Sequence, residues 1–244
     1  MDLTEEGRFF FERAKAILQQ MDELEEHLSQ HHQTPSGRLR VNAALPFMLH
    51  AIVPWIGEFR ALYPQIQLEL NTNDLIIDLL EQSTDIAIRI GHLADSSLHA
   101  RSLGCSPLHV LASPAYLARR GTPRHVEELA GHSLLGFTQP ESLNDWPLRG
   151  PAGDTLRIQP TIASSSGETL RHMALAGLGV VCLSDFMTRE DRKSGKLVQL
   201  FAAETLDVRQ SINAVYYRNT ALAARITCFV DYVMETLGQR PFTA

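Results

Sequence analysis

The sequence predicts an α/β protein in which helices cover both faces of a largely parallel sheet. Three observations lead there. Short apolar strands alternate with helical patterns through the first hundred residues: "GRLRVNAAL", then a helix, "QIQLEL", a helix, and "DIAIRIG". That order, with crossovers long enough for helices, marks parallel pairing. "DIAIRIG" is almost wholly apolar, with Ile86, Ile88 and Ile90 on one face, as for a strand covered on both sides. The second half repeats the alternation at smaller scale, with "SLLGFT", "GETLRHMALAG" and "GVVCLSD".

Taken in order, the chain begins with a long helix, "LTEEGRFFFERAKAILQQMDELEEHLS". Phe10, Ala14, Ile17, Met21, Leu24 and Leu28 recur at spacings of four and three and draw a heptad seam. Such a seam packs either on its own domain or against a second chain. The polar linker "SQHHQTPSG" follows at once and separates it from the next strand, which favours a second chain. After "GRLRVNAAL", Pro46 starts a helix with Ile52, Ile56, Phe59 and Tyr63 on one face. Pro54 inside it predicts a kink or a second start, and Pro64 a stop. Asn73 and Asp74 offer a cap for "LIIDLLEQ".

Beyond "DIAIRIG", "SLHARSLG" and "LHVLAS" read as two strands, and "PAYLARRG" as a short helix between Pro114 and Gly121. "PESLNDWPLRGPAGD" is a loop or hairpin, and "IQPTIASSS" a strand ending in serines. Ser165 and Glu168 match a capping box for the helix after it, and Gly177 its stop. "GKLVQLF" and "SINAVYYR" are strands. Leu222, Ile226, Phe229, Val233 and Leu237 make a terminal amphipathic helix.

Composition narrows function. Of 244 residues 44% are hydrophobic, ample for a core, and the net charge is −6 with no basic stripe for nucleic acid. Cys105, Cys182 and Cys228 form neither a disulfide framework nor a metal knuckle. No apolar run reaches membrane-span length and no export signal is visible, so a cytoplasmic location with no membrane contact is expected. "GLG" at Gly177–Gly179 follows a helix and precedes a strand, the wrong order for a nucleotide loop. His27, His31 and His32 read as a solvated helix end, and no metal or cofactor is expected. No nucleophile elbow, zinc-protease or phosphate-loop pattern occurs.

Two places carry polar groups where ligands bind. Arg89 lies in an otherwise buried strand near its carboxyl end, as a structural ion pair or a ligand contact. "SSSGE" gathers three hydroxyls and free N–H groups at a helix start, for capping alone or for a polar or anionic ligand.

The stretches "LTEEGRFFFERAKAIL", "GRLRVNAALPFMLHAIVPWIGEFRALYPQIQLEL", "DIAIRIGHLADSSLHARSLG", "VLASPAYLARRGTP" and "LAGLGVVCLSD" together resemble a LysR-type transcriptional regulator without its N-terminal helix-turn-helix domain. The resemblance implies two Rossmann-like subdomains of periplasmic-binding-protein type joined by two crossovers, after a linker helix that pairs two subunits. It places the linker and dimer helix at 1–33, one subdomain at 36–135 and 212–240, and the other at 136–211. The crossovers fall near Leu134–Phe137 and Val208–Asn213. It implies a small-molecule effector in the cleft, self-association as a dimer and, in the full-length protein, a tetramer, and promoter contact only through the missing domain. The cleft walls it assigns are Ala44, Leu45, Pro46 and Phe47, then Arg89, Gly91 and His92, then Phe137, Ser164, Ser165, Ser166 and Leu183 with Ser184. Many members carry a hydroxyl after the first strand, where this chain has "NAALPF"; Leu45 and Phe47 imply a more apolar ligand, or a carboxylate held from the serines alone. A solute-binding protein of similar architecture, or an enzyme closing over a substrate, are the other readings. The first lacks its export signal and the second a convincing base.

Overall fold

The computed structural model describes residues 35–72, 84–91, 99–149, 155–216 and 224–239, with Thr4, Gly7, Phe10, Phe11, Arg13, Ala14, Ala16 and Ile17 near the start. The strands are β1 (Gly37–Ala43), β2 (Ile66–Thr72), β3 (Ile86–Ile90), β4 (His99–Ala112), β5 (Leu134–Phe137), β6 (Asp145–Arg149), β7 (Thr155–Arg157), β8 (Ile162–Ser164), β9 (Val180–Ser184), β10 (Val198–Leu200) and β11 (Arg209–Tyr216). The helical stretch α1 covers 45–62. It is followed by α2 (Pro114–Arg120), α3 (Gly167–Leu175), α4 (Asp185–Lys193) and α5 (Ala224–Gln239). The proposed helix "LIIDLLEQ", His92, Met21, Leu24 and Leu28 lie outside the described residues.

The α/β class holds, with a mixed sheet. Among the described residues nine strands form one sheet: eight follow the path β2-β1-β3-β11-β4-β9-β5-β8, and β10 pairs with β4 off that path; β6 and β7 form a separate hairpin. The first half is parallel through β2, β1 and β3, and β11 runs antiparallel to β3 and β4. The second half is parallel through β9, β5 and β8, with β4 antiparallel to β9 and β10 antiparallel to β4.

The two strands expected at "SLHARSLG" and "LHVLAS" are one strand of 14 residues. Gly104 and Pro107 read as breaks, yet β4 runs through both. Between Ser102 and Gly104 the register with β11 slips by one residue, a bulge that lengthens β4 locally. Pro107 is the last residue facing β11, and Leu108 the first facing β9. A residue without an N–H fits where a strand leaves one partner for the next. The chain therefore changes halves at 107–108, before β5, whereas the sequence placed that change near 134–137. It returns at β11.

Pro54 does break α1. Leu45–Phe47 is α-helical, Met48–Ile52 a π turn, Val53–Trp55 a 3₁₀ turn opening with Val53 and Pro54, and Ile56–Leu62 α-helical again. A proline at 54 cannot donate back along the helix, so the turns on either side reorganise around it. The aromatic face survives. Trp55 and Phe59 meet Phe229 of α5 with ring centroids 5.9 and 5.3 Å apart, and Tyr232 lies 5.3 Å from Trp55. All but Tyr232 are essentially inaccessible.

The capping box differs from expectation. Ser166, not Ser165, is the N-cap of α3, and its side chain makes no capping bond. Glu168 is instead drawn sideways by basic partners, as described below. Gly177 does stop the helix, at φ +77°, a backbone angle that suits glycine. Gly136 in β5 has a different reason: a Cβ there would lie 2.6 Å from Asn144 Oδ1 and 2.8 Å from Pro160 Cβ. Asn144 needs that space, because its amide accepts from Phe137 N and donates to Phe137 O, both at 2.8 Å, and so fixes the end of β5.

Helix α4 was not anticipated. Its sequence, "DFMTREDRK", is dominated by charge, and its inward face itself carries Asp185, Thr188 and Asp191 beside Phe186 and Met187. Periodicity in apolar residues does not register such a face. Buried carboxylates need partners. Asp191 takes Arg171 at 2.6 and 2.9 Å, and Asp185 takes His109 at 3.1 Å with Arg189 and Arg192.

Burial alone would raise the Asp185 carboxyl, but hydrogen bonds from His109 and Arg189 and the charges of Arg189 and Arg192 win, taking its pKa from 3.8 to about 2. A depressed folded-state pKa gives stability that is present above the unfolded value and lost as pH falls through the folded one. Denaturant melts should therefore show stability falling from about pH 4 to pH 2, with this residue contributing on the order of 1–2 kcal/mol after solvent screening. Asp185→Asn should be less stable than the parent at pH 7, and the gap should narrow toward pH 2; a constant gap would mean the carboxylate charge is not what α4 depends on.

Candidate functional site

The two halves of the sheet meet where β1 passes into α1. Ala44 ends the strand with an extended backbone, and its carbonyl accepts from Met48 N at 2.9 Å. Pro46 then fixes the first turn, and Pro46 and Phe47 are buried. They face the second half directly. A Cβ placed on Gly167, the first residue of α3, would lie 3.4 Å from Pro46 Cγ, 3.6 Å from Met187 Cε and 3.6 Å from Phe137 Cζ. Phe47 meets Phe186 edge to face, with centroids 5.4 Å apart. Such a pair adds about 0.5–1.5 kcal/mol beyond area burial.

The serine run sits on this seam. Phe137 and Ser164 are neighbours across β5 and β8. Ser164 Oγ accepts from Ser166 N at 3.2 Å, and Ser164 O accepts from Thr138 N at 3.1 Å. Ser165 is exposed. Ser166 Oγ is buried and makes no hydrogen bond among the described residues. A buried hydroxyl in that condition costs about 1–3 kcal/mol unless something enters to pair with it. Leu183 is buried in β9 within the same apolar cluster as Phe47 and Phe186. Ser184 Oγ donates to Gln210 Oε1, tying β9 to the start of β11.

The end of β3 is built differently. Arg89 Nη1 donates to Asn42 Oδ1 at 2.7 Å and to Ile88 O at 3.3 Å. Asn42 in β1 is itself buried, so an amide receives this guanidinium. Gly91 follows with φ +94°; its N–H donates to Ser211 O and its carbonyl accepts from Ser211 Oγ, both at 2.8 Å. Of the wall residues assigned from sequence, Pro46, Phe47, Phe137, Ser164, Ser166 and Leu183 come together; Ala44 and Leu45 border them, and Arg89 and Gly91 are anchored on β1 and β11.

A polar link joins α1 to α3 across the seam, and sequence reasoning missed it. His50 Nε2 of α1 lies 2.8 Å from Glu168 Oε2 of α3. Glu168 Oε1 accepts from Arg171 at 2.8 Å, and Arg171 continues to Asp191. Burial pushes the Glu168 carboxyl up, but His50 and Arg171 together hold it below its usual value. His50 escaped notice because the π turn rotates it off the 3.6-residue face, and Glu168 because it fitted a capping box. Cys182 is buried and apolar surroundings push its thiol far up, which leaves it unreactive.

Comparison with known proteins gives this geometry a family. Residues 32–238 match the LysR substrate binding domain. The HTH-type transcriptional regulator CrgA of Neisseria meningitidis serogroup C is 45% identical over 238 residues, which are 98% of this chain and 80% of that protein. The solved regulatory domain of CrgA from Neisseria meningitidis has a TM-score of 0.80 at 46% identity, covering 84% of this chain and 100% of that one. The full-length virulence activator AphB of Vibrio cholerae, a LysR-type regulator, follows at a TM-score of 0.72 and 28% identity, covering 96% of this chain and 80% of that one. With a family match over most of its length and a close relative covered to four-fifths, the chain belongs to the LysR-type transcriptional regulators and carries their effector-binding regulatory domain, a sensor and not an enzyme.

Proposed function

We propose that this domain senses its effector in the seam between the two sheet halves. The walls are Ala44, Leu45, Pro46 and Phe47 from the first half, and Phe137, Ser164, Ser166 and Leu183 from the second, with Arg89 and Gly91 bordering them at the end of β3. The observation that carries the reading is Ser166 Oγ, a buried hydroxyl with no hydrogen-bond partner among the described residues, next in sequence to Gly167, against which apolar side chains from both halves lie. The halves act as two subdomains that change their relative position about β4 at 107–108 and about the start of β11. A ligand shifts such an equilibrium only by binding one arrangement better than the other, and a seam built from both halves supplies that difference.

Self-association belongs to the same reading. Gly7, Phe10, Phe11, Arg13, Ala14, Ala16 and Ile17 are helical, and Phe10, Phe11 and Ile17 are 74, 52 and 59% exposed. We take this apolar face, with Met21, Leu24 and Leu28, to pair with the same helix of a second subunit. Promoter DNA is contacted through residues outside these 244, since the chain has a net charge of −6. A cytoplasmic location follows from the family's role in transcription.

A thermal-shift screen of metabolites tests the site. A genuine effector raises the melting temperature by mass action, and Phe137→Ala, with folding checked by circular dichroism, should remove most of that rise. A rise that Phe137→Ala leaves intact places the effector elsewhere. For association, Ile17→Asp with Leu24→Asp puts charge into the helix seam at a cost of several kcal/mol. Sedimentation velocity should show dimers giving way to monomers; an unchanged distribution would remove this helix from the interface.

A further inference from the structure

The chemistry of the seam narrows what can occupy it, given that it is the effector site. Its walls are largely carbon: Pro46, Phe137 and Met187 lie against Gly167, and Phe47 packs edge to face on Phe186. Among the described residues, Ser166 Oγ is a buried, neutral polar atom with no hydrogen-bond partner here.

Charge argues against an anion. The N-terminus of α3 carries about half a positive charge, which by itself would favour one. Glu168 in the first turn of that helix already offsets it, being 8% exposed and holding its negative charge through His50 and Arg171. The basic groups around it have partners: Arg171 serves Glu168 and Asp191, the His50 ring lies against Glu168, Arg189 and Arg192 serve Asp185, and Arg89 donates to Asn42 and to Ile88 O. A carboxylate paired with Ser166 would lie two residues from Glu168, itself a buried carboxylate. It would have to draw a cation away from a buried carboxylate, and removing one partner of a buried pair is costly. A neutral molecule meets neither obstacle and can satisfy the serine hydroxyl.

We infer that the effector is a small, uncharged and largely apolar molecule with one hydrogen-bonding group that pairs with Ser166.

Matched neutral and anionic probes of one shape test this: benzamide and benzyl alcohol against benzoate, and cyclohexanecarboxamide against cyclohexanecarboxylate. Binding is followed by calorimetry and thermal shift on the whole chain at pH 7. The neutral members should bind at least tenfold more tightly than the carboxylates. Ser166→Ala should weaken them about tenfold, and Ser166→Thr, which keeps the hydroxyl, should restore most of the loss. Carboxylates that bind as well as or better than the neutral probes, yet lose affinity in Ser166→Ala, overturn the chemical class and leave the seam as the site. Probes of either charge whose affinity is unchanged in both Ser166→Ala and Phe137→Ala overturn the seam itself. Binding by neither series at millimolar concentration overturns the inference as well.

Discussion

The arrangement of this domain depends on the docking of one helical turn. Pro46 and Phe47, the first residues after β1, press into the start of α3 and against Phe186 and Met187 of α4. The sheet halves are also joined by the chain itself, through β4 and the segment that leads into β11, and by the His50–Glu168 and Ser184–Gln210 hydrogen bonds. Backbone connections alone would leave the relative position of the halves soft. The apolar turn makes that position definite. Gly167 lies directly against this turn: a Cβ there would meet Pro46, Met187 and Phe137 at 3.4–3.6 Å, ordinary van der Waals contact. Tight packing of this kind tends to have two discrete arrangements rather than a continuum, which is what a sensor requires.

Electrostatics reinforce the same contact. The His50–Glu168 link lies one turn beyond the apolar seam and leads through Arg171 to Asp191. This chain of groups spans α1, α3 and α4. Each carboxylate is largely buried and each has a basic partner, so separating the halves would leave Glu168 without His50. A ligand that changes the spacing at Gly167 therefore changes the terms on which Glu168 is held. On the proposed reading, this would couple recognition at the seam to the position of α1, and α1 is joined to α5 through Trp55, Phe59 and Phe229.

Much of this was legible in the residues, and the exceptions have physical causes. Alternating apolar runs gave β1, β2, β3, β5, β9, β10 and β11 close to their observed limits, because strand periodicity is a direct consequence of burial on a pleated sheet. Prolines marked α1 and its break. β4 was split in two because Gly104 and Pro107 usually end strands, whereas here a bulge and a change of partner accommodate them. α4 was lost because its inner face is held by ion pairs rather than by hydrocarbon. The resemblance to LysR-type regulators pointed to Pro46, Phe47, Phe137, Ser164 and Ser166, which lie together, and to Ser165, which is exposed. His50 was hidden by a π turn, which no 3.6-residue pattern displays. Ser166 rather than Ser165 proved to be the cap, a one-residue difference that decides which hydroxyl is left buried and unbonded.

The central claim is that one ligand engages both halves at once. Hydrogen–deuterium exchange, with and without a ligand found by thermal shift, tests it most directly, because opening of α1 and α3 is then read separately. Peptides covering 44–52 and 164–175 should both gain protection, to similar extents and at the same ligand concentration. Protection confined to one of the two, or centred on the surface depression lined by His125, Arg149 and Glu204, would contradict a seam built from both halves.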